Sequence, residues 1–312
     1  MKEAIHICEV GLRDGLQNEN ARLSIEEKLA LYNGLVDAGV KTIEIGSFVH
    51  PQAVPAMADT DRLGAVIRAA YPGRARVLGL VMNDRGFDRA VAAGVDGVCI
   101  VTVVSETLCL KNNRCTADEA TQMAVRLLER ARLLGLYTRV DVATAWVCPY
   151  EGQISIDQVK RQADQIWEYR PDELAFCDSI GHAHPAQVAT LFQELGDRYE
   201  RDHLVAHFHD TKAMGLANAT AALLQGIRRF DASLGGLGGC PFAPGAKGNL
   251  ATEDLVHLCE SMGFATGIQV KDLWPLVARL EAQIGRTLGG QSRSWYSSLA
   301  LQEAERGASC VH

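Results

Sequence analysis

The sequence predicts a (β/α)8 barrel, a TIM barrel, with an additional C-terminal helix, and three observations carry that reading. Eight short runs rich in valine and isoleucine alternate with eight segments of helical spacing. The alternation proceeds at about thirty to forty residues per unit, the pace of a barrel of about 250 residues. Several units share one junction, seen in DAGVKTIEI, AAGVDGVCI and LLGLYTRVDV, where a glycine ends the helix and a strand follows at once.

In chain order, the apolar run 5–10 (IHICEV) precedes a helical segment at 24–38, and DAGVKTIEI leads from that helix into a strand at 42–45. A helix at 59–70, a strand at 76–81 and a helix at 84–93 follow, and AAGVDGVCI enters the strand at 97–101. The long helix at 116–134 passes through LLGLYTRVDV into a strand at 138–143. Helix 155–168, strand 173–177, the proline-started helix 185–195, strand 204–208, helix 213–225, strand 230–234 and helix 252–261 complete the alternation. Residues 1–268 are expected to form the barrel and residues 269–312 an appended helix, at 272–285, with a polar tail. A doubly wound sheet has the same element order, but eight units closing near Leu234 favour the barrel.

Composition narrows the function classes. With 312 residues, 47% of them hydrophobic, the chain can bury a large core. A net charge of -7 without a clustered basic stripe argues against nucleic acid and anionic membrane as partners. No apolar run is long enough to span a bilayer, and MKEAIHICEV lacks the apolar region of a signal peptide, so a cytoplasmic setting is expected. Nine cysteines without a Cys-x-x-Cys pair, among them Cys8, Cys99 and Cys177 in apolar strands, read as reduced core thiols. Cys240, set among glycines, is the exception.

A barrel places its chemistry at the C-terminal ends of the strands, and polar residues collect there. Strand one runs into Arg13 and Asp14, strand two contains Glu44, strand six leads to Asp178, and strand seven ends in His207, His209 and Asp210. Two residues apart on a strand, His207 and His209 face the same way. A pair of satisfied core histidines would look the same, but a strand-end position followed by Asp210 favours a metal. With Asp14 and Asn249 the set offers two nitrogens and two oxygens without thiolate, which suits Mg2+ or Mn2+. His182 and His184 repeat the spacing ahead of a proline-started helix and read as a rim pair, with contact to a substrate's outer part as the alternative. Arg13 beside Asp14 is either a surface ion pair or a device in which the guanidinium steadies an enolate oxygen while the carboxylate takes a hydroxyl proton.

The segments EVGLRDGLQNE, SFVHPQAVPAMADT, CPYEGQIS, HFHDT and GLGGCPFAPGAKGNLATEDLV closely resemble the 3-hydroxy-3-methylglutaryl-CoA lyases, metal-dependent barrel lyases. The resemblance runs from Ile7 to about Gly267, and the cysteine loop is its most specific motif. It implies retro-Claisen cleavage of a tertiary 3-hydroxyacyl-CoA to acetyl-CoA and a keto acid, and a homodimer. It also implies that Asp14, His207, His209 and Asn249 hold a divalent cation and that Arg13 steadies the thioester enolate. Cys240 would close over the substrate on a glycine-shaped lid and take part in proton transfer, with His207 among the catalytic residues. Glu44 and Asp178 would support the reaction. Gln17 and Glu253 would join Arg13 toward the substrate, and Asp141, which the family pattern does not supply, is the further candidate for substrate contact.

The chain departs from the family pattern at Leu12, His50, Gln52 and the stretch from Asp141 to Ala143. Asp141 either faces the mouth, where it would repel a substrate carboxylate, or turns outward or pairs with Arg139, two residues away on the same face. The substrate could therefore be HMG-CoA, citramalyl-CoA or a longer 3-substituted glutaryl-CoA. A synthase running in the Claisen direction and a non-catalytic metal-binding barrel are the other classes considered.

Overall fold

The computed structural model describes residues 2–239 and 248–299. Eight parallel strands close into a barrel. They are β1 (His6–Glu9), β2 (Thr42–Ser47), β3 (Arg76–Val81), β4 (Gly97–Val103), β5 (Tyr137–Ala143), β6 (Glu173–Asp178), β7 (Leu204–Phe208) and β8 (Arg229–Ala232). Each pairs with its sequence neighbours, and β8 closes on β1 through the register Cys8 to Asp231.

The helices are α1 (Ile25–Asp37), α2 (Thr60–Ala70), α3 (Asp84–Ala93), α4 (Glu106–Asn113), α5 (Ala117–Leu133), α6 (Ile156–Trp167), α7 (Pro185–Gly196), α8 (Gly215–Leu224), α9 (Thr252–Ser261) and α10 (Val270–Ile284). Capping boxes start several of them: Ser24 with Glu27, Thr116 with Glu119 and Ser155 with Gln158 satisfy otherwise orphaned N–H groups. Gly94 closes α3 with φ 76°, as the junction AAGVDGVCI requires.

Period-two alternation divides the strands into two faces. Outward residues such as Val140, Val142, Phe176, Phe208 and Phe230 join the apolar layer between barrel and helices. Inward residues are of another kind: Cys8, Leu78, Leu80 and Cys99 form a separate small apolar cluster, while Arg139, Asp141, His207 and Asp231 are charged or titratable and buried. Burial pushes the Cys8, Cys99 and Cys177 thiols well above their usual range, in keeping with reduced core thiols.

Two features were not expected. After β4 the chain forms α4, whose buried residues are Leu108 and Cys109, too few to make a helical period visible in the sequence. Between β5 and α6 lies a small hairpin, Val147–Cys148 with Gly152–Gln153. The segment after α10 also has definite contacts: Gly289 N–H donates to the Gly235 carbonyl (2.8 Å), and Asp254 accepts from the backbone of Gln291 and Ser292.

Candidate active site

After β1 the chain makes a single wide turn, Gly11–Gly15, of the π type that often marks functional sites. The buried Glu9 carboxylate fixes this turn to the end of β8, accepting from Gly11 N–H (2.8 Å), Leu234 N–H (2.8 Å) and Thr252 Oγ1 (2.6 Å). The turn carries Arg13 and Asp14 over the barrel mouth. Arg13 Nε donates to Glu44 Oε2 (2.7 Å) and its Nη1 to Asp14 Oδ1 (2.5 Å), so two carboxylates fix the guanidinium plane.

Asp14 meets the end of β7. Ligand atoms of Asp14, His207 and His209 lie within 4.8 Å of one another. Asn249 Nδ2 donates to Asp14 Oδ2 (2.7 Å), so the fourth expected residue adjoins the group. His207 Nδ1 bonds Asp231 Oδ2 (2.9 Å), leaving Nε2 for another partner. Arg139 grips Asp231 with both Nη atoms and bonds Asp141 Oδ1 through Nε (2.6 Å).

The electrostatics follow from burial and these pairs. Burial pushes the Asp14 carboxyl up, but Arg13 and His209 hold it well below the usual carboxylate range. Burial would lower His207, yet its bond to Asp231 raises it above the ordinary imidazole value. Asp231 stays ionised, because Arg139 outweighs the effect of burial. Glu44 is pushed up to about 7 by burial, against the pull of Arg13.

Two guanidiniums, of Arg13 and Arg139, thus face five carboxylates, of Asp14, Glu44, Asp141, Glu173 and Asp231, and Glu173 is shared with Arg229. Asn249 Oδ1 and His209 Nδ1 are buried without a hydrogen-bond partner. Buried orphan donors and acceptors are costly, and a cation among them would remove that cost. Oxygen and imidazole donors without thiolate fit a hard or borderline metal ion.

Arg13, Asp14, His207 and His209 open on a cavity of about 320 Å³ at the mouth, also lined by Gln17, Asn18 and Asp141. Two readings of Asp141 hold together: it lines the cavity, and it pairs with Arg139, whose charge it shares with Asp231. His50 and Gln52 sit instead on an exposed turn, where Gln52 N–H donates to His50 Nδ1, while Leu12 is buried.

Two residues expected at the site stand apart from the cavity. Asp178 accepts the backbone N–H groups of His182 and Ala183 (3.0 Å each), and Glu253 accepts those of Gly235 (3.0 Å) and Gly290 (3.1 Å). Their carboxylates are occupied as loop anchors. The rim reading of the second histidine pair agrees with the structure. His182 is half-buried in the loop and His184 caps α7, its Nδ1 accepting from Gln187 N–H.

Cys240 lies outside the described residues, but the two flanks of its loop are placed. Gly239 lines the cavity and accepts from Asn18 Nδ2 (3.0 Å). Gly238 has φ 133°, and a Cβ there would stand 2.8 Å from Asn249 Nδ2, so a side chain would displace the residue beside Asp14.

Sequence reasoning missed Asp231 as part of the site, gave Arg139 only as a partner of Asp141, and noted Glu9 at the end of strand one without a role. The available signal was an acidic residue at an inward position of an apolar strand, as in RRFDASL.

The HMGL-like family profile matches residues 4–279. A hydroxymethylglutaryl-CoA lyase of Bacillus subtilis is 38% identical over 94% of this chain and 98% of its own. An (R)-citramalyl-CoA lyase of Chloroflexus aurantiacus is 40% identical over 92% of this chain and 93% of its own. Among solved structures, an HMG-CoA lyase from Acinetobacter baumannii in complex with coenzyme A and 3-methylmalate superposes with a TM-score of 0.88 at 35% identity, covering 93% of this chain and 94% of that one. With the same closed barrel and matches of this identity along nearly its whole length, the chain belongs to the HMGL-like family.

Proposed function

We propose that this chain performs HMG-CoA lyase-type cleavage, splitting a tertiary 3-hydroxyacyl-CoA into acetyl-CoA and a keto acid. It is a carbon–carbon lyase. The observation that carries the reading is the Asp14, His207 and His209 group, with Asn249 bonded to Asp14, set beside the fixed Arg13 guanidinium at the cavity.

In the reaction, the C3 hydroxyl loses its proton, the C2–C3 bond breaks, C3 becomes a ketone, and the electron pair moves into the thioester as an enolate. That enolate carbon then takes a proton to give acetyl-CoA. Asp14, His207, His209 and Asn249 would hold Mg2+ or Mn2+, which supplies Lewis-acid polarisation of substrate oxygens and makes the hydroxyl more acidic. Asp14, kept ionised beside Arg13, accepts the hydroxyl proton. Arg13, locked by Glu44, presents its charge to the enolate oxygen, and such preorganised donors are worth about 2.7–4 kcal/mol each. Asp231 fixes the ring of His207. Gln17, at the cavity wall, contacts the substrate, and Asp178 and Glu253 hold the loops around the mouth. Cys240 closes on the lid that begins at Gly239 and delivers the proton to the enolate carbon, with water excluded.

Residues 1–268 act as the lyase barrel and residues 269–312 as an appended helix and tail. A homodimer in the cytoplasm, working on an acyl-CoA and on neither nucleic acid nor membrane, fits the family resemblance, and no helix among the described residues is long and apolar enough to cross a membrane.

Purified protein given HMG-CoA, Mg2+ or Mn2+ and a reducing agent should release acetyl-CoA, and an EDTA-treated control should not. Metal-independent release, or no release from any tertiary 3-hydroxyacyl-CoA, would overturn the reading.

Asp141 favours a second substrate within the same reaction. Its carboxylate lies at the cavity with Ala143 above it on β5, and the similar (R)-citramalyl-CoA lyase gives a concrete candidate. Asp141→Asn, which keeps an acceptor for Arg139, should change the ratio of kcat/KM for HMG-CoA and citramalyl-CoA. An unchanged ratio removes Asp141 from substrate selection.

A further inference from the structure

Cys109 lies on α4 and Cys115 just beyond it, and their Sγ atoms are 3.9 Å apart. Among the described residues this is the one contact between thiols. The chain makes it possible by reversing at Arg114, whose φ of 58° turns the backbone so that Cys115 folds back against the last turn of the helix. Cys109 is fully buried, while Cys115 is half-buried and open to a small reagent.

We infer that Cys109 and Cys115 form an oxidisable dithiol site, closed to an intrachain disulfide by a peroxide or a small-molecule disulfide such as oxidised glutathione. The balance is simple. Each thiol gives up one hydrogen and the two sulfurs bond; the peroxide is reduced to two waters, or the glutathione disulfide to two thiols. Cys115, the accessible thiol, reacts first; the Cys109 thiol, which burial with Cys115 beside it pushes up to about 12, resolves the adduct as its thiolate, so closure should speed up as pH rises.

The site adjoins the chemistry through α4, which gives Leu108, Asn112 and Asn113 to the cavity wall. Asn113 Nδ2 also lies 3.8 Å from Cys109 Sγ. A disulfide holds its sulfurs about 2.05 Å apart, so closure draws the last turn of α4 toward Cys115 by up to about 2 Å. That movement changes the wall formed by Asn112 and Asn113, and oxidation should lower substrate affinity. This consequence rests on the proposed lyase activity, whereas the covalent step does not.

The test uses the full chain, treated with hydrogen peroxide or oxidised glutathione, alkylated and digested with trypsin without reduction. Cleavage after Lys111 and Arg114 puts the two cysteines in separate peptides, Ala90 to Lys111 and Cys115 to Arg126, which stay linked only through a disulfide. The expected result is the linked pair, two hydrogens lighter than the sum of the free peptides, released by dithiothreitol and absent both from Cys115→Ser and from Cys109→Ser, the second variant excluding a link through Cys99, which shares the Ala90 to Lys111 peptide. Cys115 found singly oxidised, glutathionylated or alkylated, without linkage, would overturn the inference. Where turnover is measurable, wild type should show a rise in KM, reversed by dithiothreitol, that Cys115→Ser lacks. Oxidation of Cys240 affects both proteins alike, so it cancels in this comparison.

Discussion

The two His-x-His pairs have the same spacing and opposite fates. His207 and His209 continue β7 with side chains two residues apart on an extended backbone, so both imidazoles enter the barrel mouth beside Asp14. His182 and His184 follow β6 on a loop turned by Gly181, whose φ is 64°. There one ring is half-buried, held near the surface by a backbone bond to Asp178, and the other caps a helix. Spacing of two therefore signals convergent ligands only where the backbone is a strand, since alternation of faces is a property of extended chain. Partners differ as well: His207 has an ionised Asp231 behind it, whereas burial and Lys212 both lower the pKa of His182.

The largest break in this comparison is expected from His207→Ala. It should abolish metal binding, measured by calorimetric titration with Mn2+, and turnover with it, while His182→Ala leaves both near wild type. Equal losses from the two substitutions would end the distinction.

Asp231→Asn sharpens the contrast at one remove. The second partner of a ligating histidine typically contributes about 10–100-fold in metal affinity, so the same titration should read a loss in that range. The variant also leaves Arg139 short of one anion, so some loss of thermal stability should accompany it.

The pH dependence carries a sign. His207 titrates above the ordinary imidazole value in the folded, metal-free chain, because Asp231 favours its proton. The stability this pairing adds is full below the unfolded imidazole pKa and is lost as pH rises through the folded one. Metal needs the neutral ring, so affinity should rise with pH over that same window and fall on acidification. Metal-free thermal melts and Mn2+ titrations across the window should trend in opposite directions.

The smallest effect is expected at His184. His184→Ala removes a helix cap and should cost about 0.5–2 kcal/mol of stability, read as a lower Tm, with kcat and KM unchanged.

Much of the site was legible because its parts lie at strand ends, where polar residues interrupt apolar runs. Arg13, Asp14, Glu44, His207, His209 and Asn249 were all found this way, and the structure brings them together. Helix α4 was not legible, since two buried residues make no period. Nor was the chain from Asp141 through Arg139 and Asp231 to His207, because Arg139 and Asp231 are 92 residues apart and on strands that are not neighbours. A salt bridge across a barrel interior depends on closure and register, and neither leaves a mark in local sequence. The roles first given to Asp178 and Glu253 show the same limit, since sequence reports a carboxylate near the mouth but not the backbone N–H groups that occupy it.

The sequence alone determined the number and order of the barrel strands and of the helices other than α4, and most of the residues that stand at the mouth, because alternation and helical period are local properties of the chain. Only the tertiary structure decided which charges neutralise one another there. Asp141 could face the cavity or pair with Arg139 on paper; in the folded barrel it does both, because the guanidinium reaches across the interior to Asp231 while its Nε holds Asp141 from behind. Burial makes that arrangement obligatory, since an unpaired charge inside the barrel would cost more than any local preference could offset.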